Sequence, residues 1–199
     1  MIVALPRRRA GDRPTARITF FPEAEIGMTA KKAPASQPAV PDGPKQIIGW
    51  REWLALPQIG IPAVKAKIDT GARTSSLHTF HLEEFSAGGR RMIRFGIHPL
   101  QKRKDIELFC EAPVIDRRRV KDSGGHVEKR YVIRTSAVMG GLHWPIDITL
   151  TNRDTMLFRM LLGRTALAKR FLLDPARSYA TGRTLARHYA RRPKPKGKK

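Results

Sequence analysis

Asp69 follows the apolar Ile68 and leads directly into Thr70-Gly71-Ala72, so a carboxylate stands at the mouth of a tight turn. Such a carboxylate can activate water against a peptide carbonyl when a second acid lies close. Two acids about 3 Å apart cannot both ionise, so they hold one proton between them. The ionised member takes a proton from water while its partner protonates the carbonyl oxygen. In that chemistry Thr70 supplies a hydroxyl that stitches two such turns together, and Gly71 lets the backbone approach a carboxylate oxygen and donate to it. The turn occurs once in the 199 residues, so the second acid must come from elsewhere. Taken alone, Asp-Thr-Gly also fits a plain surface turn, because all three are ordinary turn residues.

Other chemistries have less support. A zinc-dependent peptidase would draw on His78, His81 and Glu83, completed from His98, Cys110, His126 or His143. His78 and His81 are three apart, however, where a helical metallopeptidase places two His four apart around a Glu. Ordinary hydrogen-bonded or exposed histidines fit this spacing better, and no metal or other cofactor is expected. The phosphate-cradling Gly-x-x-x-x-Gly-Lys-Ser/Thr loop is absent, and Gly124-Gly125 is followed by His126-Val127. There is no Gly-x-Ser-x-Gly elbow, and Cys110, among Leu108, Phe109 and Ala112, reads as a buried thiol.

The elements that must position Asp69 are strands. Ile47 to Leu54 reads as one strand, and Val64, Ala66 and Ile68 alternate with Lys65, Lys67 and Asp69 in a second that delivers Asp69 at its end. Further strands are expected over Met92–Ile97, Ile106–Val114, Tyr131–Val138, Trp144–Leu150 and Phe158–Leu162, with turns at Gly88-Gly89, Gly124-Gly125 and Gly140-Gly141. The hairpin joining Tyr131–Val138 to Trp144–Leu150 is the clearest, because Trp144, Ile146, Ile148 and Leu150 alternate with Pro145, Asp147 and Thr149. Thr165 is placed to cap a short helix running through Leu167 and Arg170. Many short strands and one late helix predict a mostly β, small closed barrel.

Charge and cysteine usage bound the setting. Lys and Arg total 39 against 17 Asp and Glu, giving a net charge of +22, which attracts any polyanion without naming one. Residues 183–199 hold Arg183, Arg187, Arg191, Arg192, Lys194, Lys196, Lys198 and Lys199 and no acid, which reads as a solvated, flexible basic tail. Nucleic acid is a partner such a tail permits and does not favour over simple solubilisation. Residues 1–45, rich in proline and poor in periodicity, read as a disordered extension or as the product of a start placed too early, with Met28 as the alternative. A lone cysteine allows no intrachain disulfide, and no apolar run is long enough for a leader or a membrane span, so a soluble cytoplasmic protein is expected.

The frame Lys65 to Leu77 around Asp69, followed by Met160-Leu161-Leu162-Gly163-Arg164, resembles the two signatures of retropepsin-like aspartic peptidases in their usual order. With Ile48 to Glu52, Arg130 to Ile133 and Leu150 to Arg153, the chain is similar to the bacterial retropepsin-like family that carries the label ATP-dependent zinc protease. The resemblance covers about Ile47 to Gly182 and implies one retropepsin-like barrel domain over 46–182. It implies that Asp69 is the catalytic carboxylate, that Thr70, Gly71, Ala72 and Arg164 support its turn, and that Gly124-Gly125 tip a flap with arms Val114–Lys121 and His126–Ile133. Gly88-Gly89 is the rival for the flap.

Two departures stand out. Arg73 occupies the place where retroviral members carry the acid that pairs with the Arg of Gly-Arg, which leaves Asp174, Asp147 or solvent as the environment of Arg164. A long insertion also separates Leu77 from Pro113. The expectation that follows is an aspartic endopeptidase whose second carboxylate is Asp69 of a twofold partner, since an isologous homodimer brings one loop of each subunit to the axis. Its substrate would be a peptide or protein, with acidic sequences among the candidates because family members are associated with ligases that add glutamates. The rival from another class is a catalytically idle barrel that binds acidic peptides or nucleic acid.

Overall fold

The computed structural model describes residues 16–19, 44–101, 103–121, 125, 127–152 and 157–190. Its elements in chain order are β1 (Ala16–Thr19), β2 (Gln46–Gly49), β3 (Arg51–Leu56), β4 (Ile61–Asp69), β5 (Ser75–Thr79), β6 (His81–Ala87), β7 (Arg90–Ile97), β8 (Ile106–Lys121), β9 (Val127–Met139), β10 (Leu142–Asn152), β11 (Met160–Gly163), α1 (Arg164–Leu167) and β12 (Phe171–Asp174). Strands run in the order β10, β5, β11, β4, β3, β9, and β9 pairs back onto β10, which closes a barrel of six strands. From β9 the sheet continues outward through β8, β7 and β6, while β12 and β2 form a separate parallel pair.

Alternation of side chains builds the core. Ala66 and Ile68 of β4 are buried between the outward Lys65 and Lys67, and Trp144, Ile146, Ile148 and Leu150 of β10 all point inward. They join Leu54, Leu56, Leu77, Ile133 and Leu162 in one apolar cluster that reaches Phe95, Ile97 and Cys110 under the outer strands. The turn from β9 to β10 has φ of 57° at Gly140 and 81° at Gly141, the tight two-residue connection for which two glycines are suited.

Four features differ from the sequence expectation. Ile47–Leu54 is two strands, broken at Trp50, whose N–H donates to the Arg177 carbonyl at 2.9 Å. The break exists because residues 174–181 cross this point so closely that a Cβ on Gly49 would lie 2.4 Å from the Arg177 oxygen. Helix α1 stops at Leu167 and is entered from Gly163 without a side-chain cap; the Thr165 hydroxyl donates to the Arg73 carbonyl instead, at 3.0 Å. In the insertion after Leu77 the expected turn at Gly88-Gly89 and strand over Met92–Ile97 are present, but a strand that was not expected, β6, precedes them and pairs with β7 as a hairpin.

The fourth difference lies at the ends of the chain. Within the expected extension 1–45, Ala16–Thr19 runs parallel to Ile106–Phe109 of β8. Within the expected basic tail 183–199, Thr184–Tyr189 forms a 3-10 turn held by the Tyr189 hydroxyl, which donates to the Ala63 carbonyl at 2.6 Å. Burial there pushes the Tyr189 phenol well above its usual range. Residues 1–15, 20–43 and 191–199 lie outside the described residues. No helix among the described residues is long and apolar enough to cross a membrane.

Glu52 anchors the crossing of residues 174–181. Its side chain is wholly buried and accepts from the backbone N–H of Gly49 (2.7 Å), Ala180 (2.8 Å) and Thr181 (3.3 Å) and from the Thr181 hydroxyl (2.7 Å). Removing the acceptor strands the buried N–H of Gly49 and leaves the partly buried donors of Ala180 and Thr181 without their partner, which is costly. Glu52→Ala is therefore expected to lower stability by about 3 kcal/mol in urea unfolding, with Glu52→Gln intermediate, and equal midpoints for all three proteins would contradict this account of the crossing.

Candidate active site

Strand β4 ends at Asp69, where the chain turns back on its own carboxylate. Asp69 Oδ1 accepts from the backbone N–H of Gly71 and of Ala72, each at 3.1 Å. Gly71 leaves room for this: a Cβ there would sit 3.3 Å from the same oxygen. Asp69 is half-buried, while Thr70 and Gly71 are exposed. Among the described residues nothing donates to Oδ2, so each chain presents one carboxylate with one oxygen engaged and one available.

The turn is held by a strand crossing. β11 lies between β4, its parallel neighbour, and β5, its antiparallel neighbour, so residues 70–74 must step over the end of β11 to pass from one to the other. At the crossing the N–H of Arg164 donates to the Ala72 carbonyl at 2.9 Å and that of Thr165 to the Arg73 carbonyl at 3.1 Å. The N–H of Gly163 donates to Ser75 Oγ at 3.2 Å. A Cβ on Gly163 would lie 2.6 Å from the carbonyl carbon of Thr74 and 2.7 Å from its oxygen, so only glycine fits beneath the passing chain.

The Arg164 guanidinium completes the brace. Its Nη1 donates to the carbonyls of Thr70 at 2.8 Å and Gly71 at 3.0 Å. These carbonyls, and neither of the two candidate acids, are its partners: Asp147 is taken by Arg134 at 2.7 Å and Asp174 by Arg177 at 3.0 Å. A guanidinium can fix a turn through the outward carbonyls without a neighbouring acid, which is why Arg73 is compatible with this site. The Arg73 residue is exposed and contributes its carbonyl to the crossing.

The long β8–β9 hairpin, registered from Val114 opposite Ile133 to Lys121 opposite Val127, contains the arms assigned to a flap. Gly125 has φ of 87°, while Gly124 and His126 lie outside the described residues. A polar cluster that sequence reasoning missed ties these arms to the β6–β7 hairpin. The Tyr131 hydroxyl donates to Glu84 Oε2 at 2.8 Å, Arg117 Nη2 donates to the Tyr131 hydroxyl at 2.6 Å, and Arg91 pairs with Glu84 Oε1 at 2.9 Å. Partial burial, followed by the hydrogen bond to Glu84, pushes the Tyr131 phenol upward. Nearby, the hydrogen bond from Arg118 and then the Arg117 backbone N–H hold the Asp116 carboxyl below its usual range.

The residues of the zinc alternative are dispersed. His78 is buried in β5, while His81 is exposed beside Glu83 at 3.7 Å, and His98 is buried against the Phe80 ring at a centroid distance of 4.4 Å. Among the described residues no three His, Cys, Asp or Glu side chains converge as a metal site. Cys110 is buried, and burial pushes its thiol up to about 12.

Comparison with known proteins places this geometry in context. The family model described as RimB-like, retropepsin-like aspartic endopeptidase RimB, matches residues 47–184. A protein of Shewanella halifaxensis named probable alpha-L-glutamate ligase is 49% identical over 138 residues, which is 69% of this chain and 30% of that protein. Proteins of the same name from Parasynechococcus marenigrum and Desulfotalea psychrophila are 48% and 46% identical over the same shares. The chain thus spans about 30% of the length of these relatives. A crystal structure of a Legionella pneumophila protein of unknown function superposes with a TM-score of 0.58 at 28% identity, covering 68% of this chain and 98% of the other.

Two outcomes are expected from this geometry. Gly163→Ala should cost about 2 kcal/mol or more, because the added methyl meets backbone that cannot rotate away, and an unchanged melting temperature would show that the crossing is looser than described. Cys110, protonated at pH 8, should resist iodoacetamide in the folded protein and react once urea unfolds it, as read by mass spectrometry.

Proposed function

Because the chain belongs to the RimB-like family of retropepsin-like aspartic endopeptidases, we propose that it hydrolyses peptide bonds with a dyad made of Asp69 from each of two subunits. The observation that carries this reading is the turn itself: one carboxylate per chain, clamped through Oδ1 and braced by Arg164, with Oδ2 available. In the dyad the ionised Asp69 takes a proton from water as the water oxygen bonds to the peptide carbonyl carbon. The partner's Asp69 gives its proton to the carbonyl oxygen. Collapse of the tetrahedral intermediate breaks the C–N bond, and the departing amine takes a proton from the dyad. No cofactor enters the sequence of steps.

A twofold homodimer is the economical source of the second acid. Ile47, 46% exposed, lies opposite Leu172, 52% exposed, on the β2–β12 pair, where a second subunit would cover apolar surface. This pair adjoins the site, since the carbonyl of Trp50, just past β2, accepts from the N–H of Ile68 at 2.9 Å. The β8–β9 hairpin serves as the flap over a bound peptide. Acidic peptides are the favoured substrates, a choice supported by the net charge of +22 and by the relatives' name of probable alpha-L-glutamate ligase. The single cysteine fits a reducing cytoplasm.

Asp69→Asn is expected to reduce cleavage of glutamate-rich peptides by about 10³-fold or more while leaving the melting temperature close to that of the parent. Chelators should have no effect, and transition-state mimics with a central hydroxyl should inhibit. Full activity in Asp69→Asn would end the proposal, and loss of activity on chelation with recovery on adding zinc would transfer it to His78 and His81.

A further inference from the structure

The outer face of β3 and β4 carries a cation–aromatic surface that peptide hydrolysis does not use. Arg51 stands opposite Lys67 and Trp53 opposite Lys65, and these pairs share one side of the sheet. The crossing segment adds Tyr179, a non-glycine residue with φ of 58°, whose N–H donates to the Arg51 carbonyl at 2.9 Å. The Arg51 guanidinium lies 4.5 Å from the Trp50 ring centre and 5.1 Å from that of Tyr179. Arg183 lies 4.5 Å from the Tyr179 ring, and the Lys65 ammonium 5.4 Å from Trp53.

The positive charge of this face is left over. Among the described residues no carboxylate pairs with Arg51, Lys65, Lys67, Arg183 or Arg187; Arg51 donates to Ser178 Oγ and Lys65 to Gln101 Oε1. Of the acids close in sequence, Glu52 faces inward in its four hydrogen bonds, Asp174 holds Arg177, and Asp69, two residues beyond Lys67, turns Oδ1 onto its own turn and pairs with none of these cations. Beside the face a cavity of about 380 Å³ is lined by Trp53, Lys65, Gln101, Arg103 and Tyr189. From Ala190, also on its wall, the sequence continues with Arg191, Arg192, Lys194, Lys196, Lys198 and Lys199.

We propose that this face binds single-stranded nucleic acid. Arg183, laid on the Tyr179 ring, keeps its N–H edge for a phosphate and its outer side for a base, while Arg51, near both rings and bonded to Ser178, adds its remaining N–H groups. Half-exposed Trp50 and Tyr179 supply rings for stacking, and the unpaired lysines and arginines track the backbone. An acidic peptide would satisfy the cations and gain nothing from the rings, so the combination favours a polymer with both phosphates and bases. The proposal rests on residues apart from Asp69 and holds whether or not the chain is a peptidase.

The test is fluorescence anisotropy of the full chain with labelled 15-mer oligo-uridine RNA and oligo-thymidine DNA over a salt series, with a 15-residue polyglutamate as competitor. Binding of either oligonucleotide is expected, the tighter one identifying the polymer. Lys67→Ala with Arg183→Ala, both exposed positions, should weaken binding about tenfold and lower the log–log salt slope by about 1.4, two contacts at ~0.7 each. Tyr179→Asn, which tolerates the left-handed backbone, should weaken binding about fivefold or more with the slope kept. The proposal would be overturned by no binding at low salt, by displacement by polyglutamate at matched concentration, or by unchanged affinity in the Lys67/Arg183 double variant. A full chain with the six basic residues after Ala190 replaced by serine should still bind, and complete loss there would move the site off this face.

Discussion

Everything at the candidate site depends on the passage of residues 70–74 over the end of β11. Two stretches of backbone meet there without a side chain between them, and Gly163 is the residue that permits the approach. Once they meet, the peptide groups of Arg164 and Thr165 have acceptors in Ala72 and Arg73, and the guanidinium of Arg164 reaches the two carbonyls that the Asp69 turn directs outward. The carboxylate is thereby held from both sides: its own turn donates to Oδ1, and the strand that completes the barrel holds the turn. A half-buried acid on a free loop would sample many directions, whereas one fixed at the end of a core strand is restricted to few, as the proposed dyad would require.

A second constraint acts at the other edge of β4. Glu52 gathers four donors from β2 and from residues 180–181, and in doing so lays the C-terminal segment across Gly49–Arg51. A buried carboxylate gives less stability than an apolar group of the same size, but it selects one arrangement, since only one path of the chain brings its donors within reach. The path chosen is what places Tyr179 and Arg183 beside Arg51 and Lys65. The basic surface and the support of the candidate active site therefore share β3 and β4 as their common scaffold.

The outer strands add charge control to the hairpin assigned as the flap. Glu84, Arg91, Arg117 and Tyr131 come from four different strands and meet in one hydrogen-bonded group. The group is exposed enough for salt to weaken its ion pairs, yet the bond between Tyr131 and Glu84 couples the base of the hairpin to the insertion after Leu77. The insertion thus buttresses the hairpin from outside the barrel.

Much of the fold was legible because its signals are local. The alternation in Val64 to Asp69 and Trp144 to Leu150, the paired glycines at 140–141 and the order of the Asp69 and Leu-Leu-Gly-Arg frames lie within a few residues of the structure they describe. The break at Trp50 and the turn at Thr184–Tyr189 were not legible, because each follows from a contact with chain far away in sequence, and strand β6 was missed because this edge strand, paired only with β7, buries none of its residues and so carries no clear apolar alternation. The sequence by itself determined that a single carboxylate enters a Thr-Gly turn at the end of a core strand. The resemblance named Arg164 as a support of that turn, but only the tertiary structure decided how it holds it, through the carbonyls of Thr70 and Gly71 and not through an acid, since Arg164 lies 94 residues from Thr70 and meets it because β11 is inserted between β4 and β5.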